Sequence, residues 1–154
     1  MMLPGLIVRS SSIHAAGCYT TSPIKAGVRV CEYDGPRMSK AVADARYEGR
    51  FVTYLFACGR NQVIDGFGTP MFFNHCCDPN CESEQDADGR IYISTIRDVA
   101  AGEELTYEYN LYDSDDEAQD CYCGTEKCRT TMFSNLELKR RARIAKRRAA
   151  SQVS

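Results

Sequence analysis

The stretch FFNHCCDPNCE, residues 72–82, holds three of the nine cysteines and one of the two histidines of this 154-residue chain. Further along, CYCGTEKC at residues 121–128 places three thiols in a C-x-C-x4-C spacing with a glycine at the turn. A structural zinc ion takes four ligands in a tetrahedron, so these three thiols leave one position open. Cys76, Cys77 and Cys81 of the first stretch are the candidates for it. Such a site would hold the C-terminal segment against the 72–82 loop.

The rest of the composition favours a metal site over disulfide bonds. Nine is an odd number of cysteines, and residues 1–12 lack the basic start and long apolar run of a secretory signal. No stretch approaches the roughly 18 uninterrupted apolar residues of a membrane span, so no membrane contact is expected. We therefore expect an intracellular protein, nuclear in a eukaryote or cytoplasmic in a bacterium, whose clustered thiols bind metal. Cys18, Cys31 and Cys58 lie in apolar, strand-like contexts and are predicted to be small core residues.

Charge is divided along the chain. Residues 1–138 carry 12 Lys and Arg against 21 Asp and Glu, a net charge of −9, whereas residues 139–154 carry seven basic residues and no acid. An acidic body suits a cationic partner such as a lysine-rich peptide. The segment KRRARIAKRR, residues 139–148, suits an anionic one, either a nucleic acid or a nuclear-import receptor. Ordinary solvated surface is the alternative interpretation of both regions.

Short runs of β-forming residues, separated by Gly and Pro, predict a mainly β single domain. Strands are predicted within residues 6–12, 17–24, 27–35, 51–59 and 62–66, and two more within 88–109. One helix is predicted over residues 40–50 with Ser39 as its N-cap, and a basic helix after the 121–128 cysteines. Residues 113–120, DSDDEAQD, are interpreted as an acidic linker.

Taken together and in this order, FFNHCCDPNCE, AAGEELTYEY and CYCGTEKCR resemble the motifs of the SET-domain protein lysine methyltransferases. The resemblance covers most of the chain and is strongest to the compact, stand-alone form of the family. It implies a mainly β, β-clip-like fold of small sheets in which two motif segments form a pseudoknot, followed by a post-SET zinc segment and a short helix. It divides the chain into a SET domain at 1–112, a post-SET zinc-binding segment at 113–133 and a basic tail at 134–154.

The resemblance also implies methyl transfer from S-adenosylmethionine to a lysine of a histone or histone-like protein. Tyr109 matches the catalytic tyrosine that orients the amine, Tyr107 a position that restricts the product to mono- or dimethyl-lysine, and Tyr54 a residue lining the lysine channel. The implied cofactor-binding residues are Ala15, Ala16, Gly17, Asn74 and His75. The implied ligands of a structural zinc ion are Cys77, Cys121, Cys123 and Cys128.

Methyl transfer to an amine needs the neutral form of lysine. With a reference pKa near 10.4, only about one lysine in 2,500 is neutral at pH 7, a handicap of roughly 4.6 kcal/mol. A dry aromatic channel and a neighbouring sulfonium cation both lower that pKa, because both disfavour the ammonium form. The alternative hypothesis is a catalytically silent SET-like module that binds basic peptides or nucleic acid.

Overall fold

The computed structural model describes residues 2–50, 54–112 and 119–151. Parts of the predicted strand 51–59 and of the predicted linker 113–120 lie outside the described residues. The strands are β1 (Leu6–Ser10), β2 (Ala16–Thr20), β3 (Arg29–Tyr33), β4 (Arg37–Ser39), β5 (Leu55–Gly59), β6 (Gln62–Asp65), β7 (Asn74–His75), β8 (Cys81–Gln85), β9 (Ile91–Thr95) and β10 (Glu104–Tyr107). The helices are α1 (Lys40–Tyr47) and α2 (Asn135–Ser151), and a single 3-10 turn covers Thr69–Phe72.

Strand β10 brings the two central motifs together. The larger sheet has the order β1-β2-β10-β8-β9-β3, with β7 also paired to β10, and a smaller sheet has the order β4-β6-β5. Within the larger sheet, β10 is antiparallel to β2, with Leu105 opposite Cys18, and parallel to β7, with Tyr107 opposite His75. The segments that follow β7 and β10 therefore leave the sheet at the same end, side by side.

The mainly β class with a C-terminal helix is confirmed. Helix α1 begins as predicted, because the Ser39 hydroxyl accepts a hydrogen bond from the Val42 N–H at 3.3 Å. Strands β4 and β8 were not predicted: β4 has only three residues, and β8 lies inside the polar, cysteine-rich motif. Helix α2 has 17 residues and is longer than the short helix that was expected. The pseudoknot stays a prediction.

Buried thiols are part of the core. Cys18 and Cys31 are fully buried and Cys58 nearly so, which confirms their predicted packing role. Burial raises the pKa of the Cys18 and Cys31 thiols to about 12, so they remain neutral and unreactive at ordinary pH. Cys81 is equally buried on β8. These thiols pack with Ile93 and other aliphatic side chains between the strands.

The chain after β10 folds back against itself before helix α2. Isolated bridges pair Leu111 with Phe133 and Asp120 with Thr131. At the start of α2, the Ser134 hydroxyl accepts a hydrogen bond from the Glu137 N–H at 3.1 Å and caps the helix. None of the described helices has the length and apolar character needed to cross a bilayer.

Candidate active site

A cleft of about 440 Å³ lies between three parts of the chain. They are the opening loop (residues 11–16), the end of β10 and the C-terminal cysteine segment (residues 119–134). Six of the eight predicted catalytic and cofactor-binding residues line it. They are Ala15, Ala16, Tyr54, Asn74, His75 and Tyr109. The other two, Gly17 and Tyr107, are buried next to it. The folded chain thus gathers into one place residues that are up to 94 positions apart in the sequence.

A carboxylate lies behind the opening loop. The Asn74 side-chain amide donates hydrogen bonds to the backbone carbonyl of Ala16 at 2.9 Å and to the Glu104 carboxylate at 2.7 Å. The same carboxylate accepts hydrogen bonds from the Ser11 and Tyr19 hydroxyls, each at 2.9 Å. Glu104 therefore fixes the orientation of the Asn74 amide and places a negative charge beside the cleft. Sequence reasoning missed this role, because a glutamate on a strand is ordinarily a surface residue.

Gly17 allows the opening loop to approach this carboxylate. A Cβ atom at position 17 would lie 2.1 Å from Glu104 Oε1 and 3.0 Å from the Asn74 amide nitrogen. Any side chain there would push the carboxylate and the amide apart. The residue type at position 17 is therefore set by the contact between β2 and β10, rather than by a contact with the cleft.

The His75 ring links the cleft to the cysteine segment. Its Nδ1 accepts a hydrogen bond from the Tyr109 backbone N–H at 3.1 Å, and its Nε2 lies 3.4 Å from Cys77 Sγ. Burial lowers the pKa of His75 to about 4, an effect that the Arg129 charge reinforces and the Glu108 charge opposes. The ring is therefore neutral near pH 7, and its single proton is on Nε2, directed at the sulfur.

Tyr109 lies where the cleft meets a cluster of aromatic rings. Its hydroxyl donates a hydrogen bond to the Phe73 carbonyl at 2.9 Å. Its ring centroid is 5.0 Å from that of Tyr107, which in turn stacks on Phe56 at 6.0 Å. Burial is the main cause of the raised pKa of both tyrosines, so both remain neutral phenols at ordinary pH. Tyr109 can therefore donate or accept a hydrogen bond, but it is not a ready tyrosinate base.

The four predicted metal ligands come together. The sulfur atoms of Cys77, Cys121, Cys123 and Cys128 all lie within 4.8 Å of one another. Tetrahedral zinc with bonds near 2.3 Å separates its sulfur ligands by about 3.8 Å. The Cys77 and Cys121 sulfurs are 3.7 Å apart, so this group of thiols fits a zinc ion. Cys76 and Cys81 are not members of the group.

Residues 15–110 match a protein-family model whose description is SET domain. This match covers more than half of the chain and includes all eight predicted catalytic and cofactor-binding residues. The chain belongs to the SET-domain family.

Similar proteins align with about three quarters of this chain or more. A "Histone-lysine N-methyltransferase, H3 lysine-4 specific" of Saccharomyces cerevisiae is 40% identical over 77% of this chain and 12% of its own length. "Histone-lysine N-methyltransferase trithorax" of Drosophila melanogaster is 39% identical over 77% of this chain and 3% of its own. "Histone-lysine N-methyltransferase ATX2" of Arabidopsis thaliana is 37% identical over 87% of this chain and 13% of its own. The chain thus spans a small part of these relatives.

The cysteine segment also forms a wall of the SET-domain cleft. Cys121, Tyr122 and Met132 line the cleft on this side. Further lining residues that were not predicted are Ile13, His14, Leu55, Met71, Phe72, Leu111, Gln119 and Asp120. Most of them flank a predicted residue by a few positions, so proximity in sequence was the one signal that could have found them.

An ion pair joins Glu108, the residue after β10 of this SET domain, to the cysteine segment. The Arg129 guanidinium binds both oxygens of the Glu108 carboxylate, with one contact at 2.9 Å. The Arg129 backbone N–H donates a hydrogen bond to Cys77 Sγ at 3.4 Å. Bidentate pairs of this kind fix geometry as well as charge. Arg129 therefore couples the position of the thiols to the end of β10.

Proposed function

We propose that this chain is a protein-lysine N-methyltransferase that uses S-adenosylmethionine. The observation that supports the proposal is the common cleft, in which the Tyr109 hydroxyl, the Asn74 amide and the loop at Ala15 and Ala16 meet in a member of the SET-domain family. Its volume of about 440 Å³ lies in the range of small-molecule sites. The proposal carries over what the names of the similar proteins state of those proteins.

The residues of the cleft fit the cofactor. S-adenosylmethionine, when bound, supplies an electrophilic methyl group on a sulfonium centre. Ala15 and Ala16 have small side chains that leave their backbone accessible to the methionine part, and Asn74 presents its amide, held by Glu104. The Glu104 carboxylate is hydrogen-bonded to Asn74, which lines the cleft. The negative charge of this carboxylate favours a cationic ligand in the cleft. His75, being neutral, adds no opposing positive charge.

In the proposed reaction, the aromatic residues bind and orient the lysine side chain of the substrate. Tyr109 orients the amine through its hydroxyl, so that the nitrogen lone pair points along the direction of attack. Tyr54 lines the cleft, and the Tyr107 ring packs against Tyr109. This apolar surrounding favours the neutral amine over the ammonium form, which provides the nucleophile without a dedicated base. The phenols keep their protons, so the lysine proton is lost to solvent before the amine enters the channel.

We further propose structural zinc bound by Cys77, Cys121, Cys123 and Cys128. The substrate we propose is the N-terminal tail of histone H3, with lysine 4 as the first target to test, because the names of similar proteins specify it. The net charge of −9 on residues 1–138 favours such a basic tail. A nuclear, chromatin-associated location and the boundaries 1–112, 113–133 and 134–154 complete the proposal, together with nucleic-acid contact through 139–148.

Two measurements test the function in sequence. Calorimetric titration with S-adenosylmethionine should show one site per chain, and the absence of binding would refute the enzyme. Incubation with methyl-labelled cofactor and an H3 tail peptide should then transfer label, while a peptide carrying arginine at lysine 4 should not. Cofactor binding without transfer to any histone would instead favour the catalytically silent module.

Gly17→Ala should weaken cofactor binding. The new methyl group would lie 2.1 Å from Glu104 Oε1, so the carboxylate must move and the Asn74 amide loses its fixed orientation. We expect at least a tenfold rise in the Kd for S-adenosylhomocysteine and a loss of about 1–3 kcal/mol of stability. Gly59→Ala is the matched control, because its nearest atom would be Gln62 Cβ at 3.9 Å. Equal affinities of the two variants would contradict the role given to the Glu104 network.

Tyr107→Phe should shift the product toward trimethyl-lysine. The Tyr107 ring lies against Tyr109, and removal of its hydroxyl makes room for a larger methylated amine. Mass spectrometry of the H3 peptide over a time course measures the distribution. Tyr92→Phe, which removes a hydroxyl from β9 outside the cleft, should leave the distribution as in the unchanged chain. An unaltered distribution in Tyr107→Phe would remove this residue from product control.

A further inference from the structure

Helix α2 concentrates the basic charge of the chain. It contains all seven Lys and Arg residues found after position 138, and its one acidic residue is Glu137 in the first turn. The helix continues beyond the SET domain's matched residues, 15–110, and beyond the cysteine segment. The function proposed above gives it no task in methyl transfer.

The first turns of the helix are anchored to the domain. The Glu137 side chain is 4% exposed and accepts hydrogen bonds from Arg140 Nε at 2.7 Å and Arg141 Nε at 2.9 Å. The Arg141 guanidinium also lies 4.0 Å from the centre of the Phe133 ring. With the Ser134 cap, these contacts hold the first turns of α2 to Phe133 and Ser134, which are themselves paired with Leu111. Arg140 and Arg141 thus contribute to the anchor.

The other face of α2 is a row of cations. Lys139, Arg143, Lys146 and Arg147 fall within an arc of about 100° on a helix of 3.6 residues per turn. All four are exposed. Among the residues that the structure describes, none of these four has an acidic partner. We call this set the basic stripe. Its ends, Lys139 and Arg147, are eight positions apart, a length of about 12 Å along the helix.

We propose that the basic stripe binds the phosphate backbone of duplex DNA without regard to sequence. B-DNA carries one negative charge per about 1.7 Å of its axis, so about 12 Å of duplex offers roughly seven phosphates to four cations. The anchored first turns present the stripe as a rigid row and not as a flexible tail. The acidic body, with its net charge of −9, repels the duplex and so favours its binding at α2.

The composition of α2 speaks against three other partners. Single-stranded nucleic acid is usually bound with aromatic side chains for stacking, and α2 has none. A membrane surface or a groove that takes amphipathic helices needs a continuous apolar face. The apolar residues larger than alanine in α2 are Leu136, Leu138 and Ile144, too few for such a face. Helix α2 can therefore recognise a partner mainly through charge complementarity with a regular polyanion.

The test uses the full chain and a fluorescent 20-base-pair duplex of arbitrary sequence, titrated over a range of salt concentrations. Four phosphate contacts predict a log–log slope of about −3.6 for the association constant against salt. The stripe variant Lys139→Gln, Arg143→Gln, Lys146→Gln and Arg147→Gln should lose at least tenfold in affinity and reduce the slope by about 3 to 4 units. Circular dichroism checks that α2 stays helical, as expected of glutamine.

A control variant removes the same number of positive charges, four, from the body of the protein. Its substitutions are Lys25→Gln, Lys40→Gln, Arg60→Gln and Arg90→Gln. It should bind DNA within about twofold of the unchanged chain, which would assign the loss to the stripe and not to net charge. Equal affinity of the stripe variant and the unchanged chain would overturn the proposal. So would a preference for single-stranded RNA, or binding of polyglutamate as tight as that of the duplex. Because no cofactor is present, the result does not depend on methyltransferase activity.

Discussion

Tyr109→Phe is expected to lower kcat for methyl transfer by about 10²- to 10³-fold, a loss of roughly 2.7–4 kcal/mol of transition-state stabilisation. The hydroxyl is the polar group that Tyr109 presents at the meeting point of cleft and aromatic cluster, where it now donates to the Phe73 carbonyl at 2.9 Å. Without it, the amine can still enter, but nothing at this position holds its lone pair toward the methyl group. Orientation of this kind contributes mainly to the chemical step.

The effect should fall on kcat and leave cofactor binding almost unchanged. Burial keeps the Tyr109 phenol protonated, so the role proposed for it is to position the amine and not to remove a proton. The pH dependence of the remaining activity should therefore keep the shape that it has in the unchanged chain. A single-turnover measurement with saturating S-adenosylmethionine, together with calorimetric titration of the cofactor, separates the two effects.

Tyr92→Phe serves as the matched control, since it removes a phenol hydroxyl from a buried ring on β9, away from the cleft. Both variants should lose no more than about 1.5 kcal/mol of stability, the net value of one hydrogen bond. If Tyr109→Phe retained more than half of the unchanged kcat, the assignment of Tyr109 would be wrong. If it lost cofactor affinity in parallel with kcat, a collapse of the site would be the better explanation.

Local patterns predicted much of this fold and part of its site. The Ser39 cap, the short runs of β-forming residues between Gly and Pro, and the C-x-C-x4-C spacing each determine a structure within a few residues, so they could be interpreted without knowledge of the rest of the chain. The family motifs then supplied Asn74, His75 and Tyr109, which lie in one cleft as expected. The local predictions depend on short-range geometry or on a motif of fixed length, while the roles of these three site residues stay predictions.

The contacts that organise the site could not be predicted in this way. Glu104 meets Asn74 and Ser11 only because β10 pairs with both β2 and β7, a topology that depends on segments far apart in the chain. The sequence likewise did not show that Tyr122 and Met132 would line the cleft, because this depends on how the cysteine segment folds back after β10. Strand β8 was missed because its polar residues gave no apolar alternation, although Cys81 and its neighbours extend the central sheet.

Loss of the metal is the second large effect we expect. Cys77→Ser should reduce bound zinc from about one ion per chain to nearly none, measured by metal analysis after dialysis. A structural zinc site of this type contributes of the order of 10 kcal/mol in isolated zinc-finger peptides, so residues 119–134 should lose their fixed structure. Loss of this segment's structure should also remove the cleft wall that Cys121, Tyr122 and Met132 form. Cofactor affinity should then fall by at least tenfold, and a strong chelator should reproduce the effect in the unchanged chain.

Cys76→Ser is the sharpest control, because it changes the adjacent thiol in the same way. Cys76 is buried, and its sulfur accepts a hydrogen bond from the Asp78 N–H at 3.4 Å, a bond that a serine oxygen can also accept. This variant should therefore keep its zinc and its cofactor affinity, at a cost of about 1–2 kcal/mol in stability. If Cys77→Ser retained zinc and Cys76→Ser lost it, Cys76 and not Cys77 would be the fourth zinc ligand. Zinc absent from the unchanged chain purified with zinc present would mean that the thiols stabilise the segment by packing alone.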